Sequence, residues 1–138
     1  MANYDTVKAG IAGILNGLGL VESSDAVDFT NAPVTEYGNR YILKALSGEN
    51  QNNTIIDRFD DKQEWQILVA FSRNEQSDII QLDAAHRQKD IILKAIDKPS
   101  NWTSFVKIMQ YEKWEIIETK NYFVIDIRVS IMDLYIHG

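Results

Sequence analysis

The 138-residue sequence contains no cysteine and no long hydrophobic run. Without thiols the chain cannot form a disulfide, a thiolate nucleophile or a cysteine-bound zinc site. No stretch approaches the ~18 consecutive apolar residues that a membrane-spanning helix needs, and the N-terminus lacks the basic start and cleavage site of a secretory signal. The sequence therefore predicts a soluble protein that is made inside the cell and has no membrane partner.

Clustered basic charge and histidine are also scarce. The 14 lysines and arginines are outnumbered by 20 acidic residues, which gives a net charge of -6. A groove that grips nucleic acid neutralises phosphates with clustered basic residues, so this composition argues against one, although DNA can still pass the protein without binding. His86 and His137 have no spacing that makes a metal site or a catalytic triad.

Motifs for catalysis are weak. One acidic cluster comprises Asp57, Asp60, Asp61 and Glu64. It lacks the alternating ligands and the glycine of a calcium loop, so a solvated acidic turn is the better interpretation. Glu118-Thr119-Lys120 has the Glu-x-Lys spacing of some metal-dependent nucleases but no upstream Pro-Asp partner. We therefore predict no catalytic residue, cofactor or metal, with a small metal-dependent nuclease acting through Asp60 and Glu118 as the alternative.

The most regular pattern that is present is an alternation of apolar and polar residues from Tyr122 to Tyr135. Its apolar members are Phe123, Ile125, Ile127, Val129 and Ile131. Side chains of a strand point alternately to opposite faces, so the pattern predicts one β-strand with a dry and a wet side. At ~3.3 Å per residue it would reach roughly 40 Å, about twice the usual length. Such a strand should bend around the core or run past it and touch something else.

Two segments have helical periodicity. The first, from Tyr4 to Leu20, is amphipathic and carries a separate arc of Gly10, Gly13 and Gly17. Glycine in a helix costs up to about 1 kcal/mol relative to alanine, so this arc needs either a packing reason or a frayed helix. Close approach to the protein's own sheet and contact with a neighbouring subunit both remain open.

The second helix is predicted from Ser77 to Ile96. Its core-facing residues are Leu82, Ala85, Ile92, Leu93 and Ile96. Asp83 with Arg87 and Asp90 with Lys94 are expected i,i+4 ion pairs that mark the opposite, charged side. Between the two sides runs a third row, Ala84, Gln88, Ile91 and Ala95, which is small or apolar where solvent would favour charge. That row is a candidate for docking a second surface.

The remaining segments complete an α+β fold. We predict further strands at Arg40 to Leu46, Glu64 to Phe71 and Tyr111 to Glu118, so that one domain, residues 1–138, has the order α-β-β-α-β-β and a mostly antiparallel sheet packed by two helices. Gly48 to Asp61 reads as a polar loop whose apolar residues either contact a partner or tuck onto the core. The candidate interface residues are Gly13, Gly17, Ile55, Ile56, Phe59, Ala84, Ile91, Ala95 and Trp102.

The order of elements and several local runs resemble the tail terminator, or tail completion, proteins of long-tailed bacteriophages. The runs are the glycine-spotted first helix, the strand beginning Asn39-Arg40-Tyr41-Ile42-Leu43, the strand Trp65-Gln66-Ile67-Leu68-Val69-Ala70-Phe71, the helix through Leu82 to Ile96 and the hairpin from Trp114 to Tyr135. The likeness spans nearly the whole chain as a pattern of elements and includes no diagnostic motif.

The resemblance implies a structural virion protein in the phage tail or neck, made in the host cytoplasm. Such a subunit forms a ring, expected to be a hexamer, on the end of the tail tube, where it stops tube growth. Its expected partners are further copies of itself, the major tail tube protein and the head–tail connector, with DNA passing through the lumen unbound. Another neck or head-completion subunit is the alternative within the same class.

Overall fold

The computed structural model describes the backbone of residues 4–23, 40–55, 58–72, 78–104, 106, 108–119 and 122–136. These residues form two α-helices and a five-stranded sheet, so the predicted α+β architecture is confirmed. The elements are α1 (Tyr4–Asn16), β1 (Val21–Glu22), β2 (Arg40–Ile55), β3 (Arg58–Ser72), α2 (Asp78–Ile96), β4 (Ile108–Glu118) and β5 (Tyr122–Ile136), with a 3₁₀ turn at Pro99–Asn101.

The strand order across the sheet is β1-β2-β3-β5-β4. All neighbours are antiparallel except β1, which runs parallel to β2. The sheet is therefore mixed, and β1 and the 3₁₀ turn are additions to the predicted order. The short β1 forms because the chain leaving α1 passes beside the start of β2, where the backbone amide of Ser23 donates to the carbonyl oxygen of Tyr41 at 2.9 Å.

The predicted long strand is confirmed as β5, which has 15 residues and lies between β3 and β4 in the sheet. It pairs with β3 from Tyr122, opposite Ser72, to Ile136, opposite Arg58. Its apolar face is buried as expected: Phe123, Ile125, Ile127, Val129 and Ile131 are all at most 1% exposed. The backbone of β5 therefore extends past the helices, and β3 pairs with it along that whole length.

The expectation of a loop from Gly48 to Asp61 is wrong. β2 continues to Ile55 and β3 already begins at Arg58, so the segment is the end of a long hairpin. Register shifts between Asn50 and Ile55 mark irregular pairing where asparagines are concentrated. Because β3 pairs with β5 along this whole stretch, the available hydrogen bonds outweigh the low strand preference of the asparagines. Ile56 and Asp57 lie outside the described residues.

Helix α1 ends at Asn16, earlier than the expected Leu20, and a turn follows. The amide of Leu18 donates to the carbonyl oxygen of Leu15, and Gly19 has a φ of 84°. That left-handed backbone favours glycine, as is common where helices end. The end of the helix is fixed to the sheet because the Tyr41 hydroxyl donates to Oδ1 of Asn16 at 2.8 Å.

Both helices cover the same face of the sheet. Their buried residues join those of the strands in one core, contributing Val7, Ile11 and Leu15 from α1 and Ile92, Leu93 and Ile96 from α2. Ala85 is buried as expected, whereas Leu82 is half-buried. Trp65 and Tyr41 are the largest fully buried side chains, and the Tyr4 ring stacks on Trp65 with centroids 5.4 Å apart. This core fixes where α1 and α2 lie and therefore which of their surfaces remain open.

We expect Ile127→Ala to lower the free energy of unfolding by about 2 to 5 kcal/mol, because Ile127 is 0% exposed between the helices and the sheet. Denaturant melting measures the change. The matched control is Ile117→Ala on β4, where the side chain is 39% exposed and the loss should stay below about 1 kcal/mol. Equal losses in the two variants would mean that the buried face of the sheet is misassigned.

Tyr41 predicts an alkaline loss of stability. Burial raises the pKa of its hydroxyl from 10.0 to about 12, and the Glu22 carboxylate adds to the shift. The folded state then keeps a proton that the unfolded state has lost, so this contribution is complete below pH 10.0 and disappears as the pH rises towards about 12. Denaturant melts across this window should show a shallower decline for Tyr41→Phe than for the parent. Tyr111→Phe, at an exposed tyrosine, is the control, and parallel curves for the parent and Tyr41→Phe would contradict the assignment.

Candidate interaction surface

An open groove lies where the end of α1 meets α2. It has a volume of about 300 Å³ and is lined by Leu18, Ile91, Lys94, Ala95, Lys98 and Asn101. Ile91 is 49% exposed within it, which is unusual for an isoleucine in the middle of a helix. We call these six residues the α1–α2 groove. Its lining combines an apolar floor with two lysines.

A second hollow adjoins the groove and is lined by two glycines of the α1 arc, Gly10 and Gly13. It measures about 320 Å³ and is lined by Ala9, Gly10, Gly13, Ile14, Ser100, Asn101 and Ser104. Asn101 belongs to both depressions and is held in place because its amide donates to the carbonyl oxygen of Ala95 at 2.8 Å. A Cβ at Gly13 would meet no atom within 4 Å. Gly13 therefore faces open surface and makes no close approach to the sheet. Its contact with a neighbouring subunit stays a prediction.

Gly17 has a different environment from Gly13. A Cβ there would lie 3.4 Å from the carbonyl oxygens of Gly13 and Ile14, which belong to its own helix. The residue is exposed at the beginning of the turn that follows α1. These distances are ordinary van der Waals contacts, so the local backbone gives no strong reason for a glycine at this position.

The predicted third row of α2 is present at the surface. Ala84 and Ala95 are half-buried and Ile91 is exposed, as expected for a face that is neither core nor charged. Ile80, at the same helical spacing from Ala84, is 59% exposed and extends the row. Sequence reasoning did not include Ile80 or Leu18 among the surface residues of interest. The four-residue spacing of Ile80 from Ala84 could have identified Ile80.

Two lysines, Lys94 and Lys98, line the groove. An i,i+4 ion pair was expected between Asp90 and Lys94, but the Asp90 carboxylate lies 2.7 Å from Nζ of Lys89 instead. No described carboxylate forms an ion pair with Lys94 or Lys98. Lys89 is buried with its ammonium 3.9 Å from the centre of the Trp114 ring, which is a cation–π contact.

The other face of the sheet carries a polar group at its centre. The amide of Gln66 donates to Oδ2 of Asp126 at 3.0 Å, and Nε of Arg128 lies 3.5 Å from Oδ1 of the same aspartate. Glu64 completes the group 3.8 Å from Nη1 of Arg128. The face was expected to be wet, yet the Asp126 side chain is only 12% exposed. Oδ1 of Asp126 and Nε of Arg128 are both buried and form an ion pair without a hydrogen bond. No group of acidic or histidine side chains that could hold a metal ion is present among the described residues.

The remaining predicted interface residues with described backbone are Trp102, Ile55 and Phe59. Trp102 is half-buried, packs against the core and donates its indole N–H to the carbonyl oxygen of Ile96 at 2.9 Å, so it serves the interior of the subunit. Ile55 and Phe59 belong to the strands of the long hairpin. Sequence reasoning missed the exposed edge of β4, where Trp114 is 41% exposed beside the edge of His86.

Asp60 and Glu118, the two carboxylates of the nuclease alternative, lie far apart in the sheet. Glu118 pairs with Phe123, which pairs with Phe71 of β3. Asp60 lies eleven residues from Phe71 along the same strand, which corresponds to about 36 Å of extended chain. Among the described residues, no three acidic or histidine side chains are grouped so that they could hold a metal ion. A nuclease site shared by Asp60 and Glu118 would need the two carboxylates close together, and the structure does not place them so.

Neither described helix is long and apolar enough to cross a membrane. Comparison with protein-family models gives no match, and comparison with curated protein sequences gives none either.

We expect Ile91→Asp to change the free energy of unfolding of the isolated subunit by less than about 1 kcal/mol, because half of the side chain is already in water. Its neighbour provides the matched comparison. Ile92 is 0% exposed, so Ile92→Asp buries an unpaired carboxylate and should unfold the protein or lower its melting temperature severely. Circular dichroism melts of both variants test this, and a strongly destabilised Ile91→Asp would mean that the groove is part of the core.

Proposed function

We propose that this protein is a structural subunit of a bacteriophage virion, with the role of a tail terminator. Copies of it form a closed ring, expected to be a hexamer, on the end of the tail tube. The ring stops polymerisation of the major tail tube protein and presents a surface to the head–tail connector. The protein performs no catalysis and needs no cofactor in this role.

The observation that carries this proposal is the exposed apolar lining of the α1–α2 groove. Ile91 lies beside Ala95 and Leu18 in an open depression, and burying one such side chain is worth roughly 1.5 to 3 kcal/mol. A soluble monomer gains nothing from keeping this surface wet. A ring covers it in every subunit with one repeated interface.

The long strands give a second support. Helix α1 begins above Trp65, where Tyr4 stacks, but β3 continues seven residues further to Arg58. That is about 23 Å of paired strand beyond the start of the helix. An extended hairpin and a groove on different parts of one molecule suit a contact in which each subunit uses two different surfaces, as a ring requires.

The charge balance is compatible with a DNA channel. A net charge of -6 lets a duplex pass through a lumen without strong attachment, because few phosphates would be neutralised. The same charge would be unfavourable in a protein that holds DNA in place. This argument supports a passage for DNA and does not distinguish a terminator from another ring in the phage neck.

Native mass spectrometry of the purified protein, alone and mixed with tail tubes, tests the assembly. We expect closed rings on the tubes, and some terminator-type rings need this template before they close. Ile91→Asp should reduce ring formation because a carboxylate replaces the apolar contact. Ile117→Asp, at an exposed isoleucine of β4, is the control and should assemble like the parent.

Three outcomes decide between the alternatives. If Ile91→Asp caps tubes of normal length as well as the parent does, the groove is not the subunit interface. If the parent binds head connectors but never tubes, it is another neck or head-completion subunit. If the parent associates with neither, the structural virion role falls.

A further inference from the structure

We infer that two copies of this protein join through the outer edge of β4, which pairs antiparallel with the same strand of the other copy, centred on Trp114. The occupant of this edge is therefore a second copy of the chain, related to the first by a two-fold axis. The inference goes beyond the proposed ring, because it uses a surface apart from the α1–α2 groove and requires no tail tube.

The outer edge of β4 is open to another strand. β4 lies last in the sheet and pairs with β5 alone among the described strands. An unpaired strand edge presents N–H and C=O groups that serve as a template for a further strand. Every residue from Tyr111 to Glu115 is exposed. Trp114 is 41% exposed even though its ring contacts Lys89 and His86.

Two charges on this strand have like-charged neighbours in their own sheet. Lys113 lies opposite Arg128, and Glu115 lies opposite Asp126. Like charges directly opposite each other on adjacent strands are destabilising. Arg128 and Asp126 pair with each other, and neither Lys113 nor Glu115 forms an ion pair with a described side chain. Both charges are therefore exposed and lack an opposite charge within the described part of the subunit.

The charges select one register for the pairing. When a strand pairs antiparallel with its own copy, the residue on the two-fold axis faces itself, and the residues on its two sides face each other. With Trp114 on the axis, Lys113 of each copy faces Glu115 of the other, which makes two ion pairs. With Lys113 on the axis two lysines would meet, and with Glu115 on the axis two glutamates would meet. Of these three registers, the one centred on Trp114 has complementary charges.

The size of the contact indicates a weak dimer. The two Trp114 rings meet at the axis, and aromatic and oppositely charged cross-strand pairs both stabilise a sheet. The register shift between Tyr111 and Lys113 interrupts the regular strand, so the paired stretch is short. A two-fold contact uses the same surface on both copies and is complete with two of them. The expected species is thus a dimer that dissociates on dilution.

Charge reversal tests the register. Lys113→Glu and Glu115→Lys, made separately in the full chain, each convert two attractive pairs into two repulsive ones. We expect the dissociation constant of the dimer to rise about tenfold in each variant, measured by sedimentation equilibrium without tubes. Within the subunit, the same changes place an opposite charge beside Arg128 or Asp126. The melting temperature should therefore not fall, which separates loss of the dimer from loss of the fold.

Mixing the two variants gives the decisive result. In a mixed pair, the two acidic side chains of one variant face the two lysines of the other, so the heterodimer should regain the parental affinity. A single chain that carries both substitutions should also regain it. The controls are Lys44→Glu and Asp83→Lys, which make the same charge changes at exposed residues of β2 and α2 and should dimerise like the parent.

The absence of cysteine allows a second test. Trp114→Cys introduces the only thiol of the chain, and in the inferred register it meets its own copy at the axis. Directly opposite Cβ atoms of an antiparallel pair are about 4.5 to 5.5 Å apart, close to the separation in a disulfide. Mild oxidation should therefore link the two copies, as seen by non-reducing electrophoresis. Ile80→Cys, at a position on α2 that is 59% exposed, is the control and should link much more slowly.

The contrary results are distinct from those that bear on the ring. If the parent is monomeric at every concentration, or if either charge reversal dimerises like the parent, the pairing is wrong. If both reversals weaken the dimer but their mixture does not recover, β4 meets a different strand and the two-fold contact is wrong. Linking of Trp114→Cys no faster than Ile80→Cys would also overturn the register. No tail tube enters these experiments, so capping of tubes is judged separately.

Discussion

The uninterrupted pairing of β3 with β5 is the constraint on which the rest of the structure depends. Register is set by this pair: Trp65 lies opposite Val129 and Ile67 opposite Ile127, so one face of both strands is apolar throughout. A shift by one residue would turn that whole face to the other side. The helices can cover the sheet only in the observed register, and β2 and β4 add at its two sides.

The polar group on the opposite face strengthens this constraint. Asp126 and Arg128 alternate with the buried isoleucines of β5, and their charged atoms are themselves largely shielded, with Oδ1 of the aspartate facing Nε of the arginine. In a shifted register these charges would lie beneath the helices, where an unpaired ion is very unfavourable. The polar side of the strand therefore acts against wrong pairing while the apolar side favours the right one.

The assembly that we propose uses two surfaces that the core leaves exposed. The helices are shorter than the strands, so the hairpin of β2 and β3 extends beyond them, while Ile91 and its neighbours form a groove that no described element fills. Lys89 contacts Trp114 and Asp90, whereas Lys94 and Lys98 line the groove. The fold thus leaves an open apolar groove that carries two lysines, and a hairpin that extends past the helices.

Local periodicity in the sequence was enough to predict β5, both helices and the strands through Tyr41 and Trp65, because each has a repeating apolar face that only one kind of element can bury. The α+β class and the exposed row containing Ile91 followed from the same patterns. Periodicity could not predict the hairpin at Gly48 to Asp61. Its asparagines favour turns, and only the partner strand supplies the hydrogen bonds that extend β2 and β3.

Charge placement was likewise decided by tertiary structure. Sequence spacing favoured an ion pair between Asp90 and Lys94, but Asp90 pairs with Lys89 because the Trp114 ring holds that lysine in place. The separation of Asp60 from Glu118 and the open surroundings of Gly13 depend in the same way on how distant segments meet. The sequence by itself determined which residues must be buried together. The pairing of strands far apart in the chain decided the rest, since local pattern carries no information about which distant groups become neighbours.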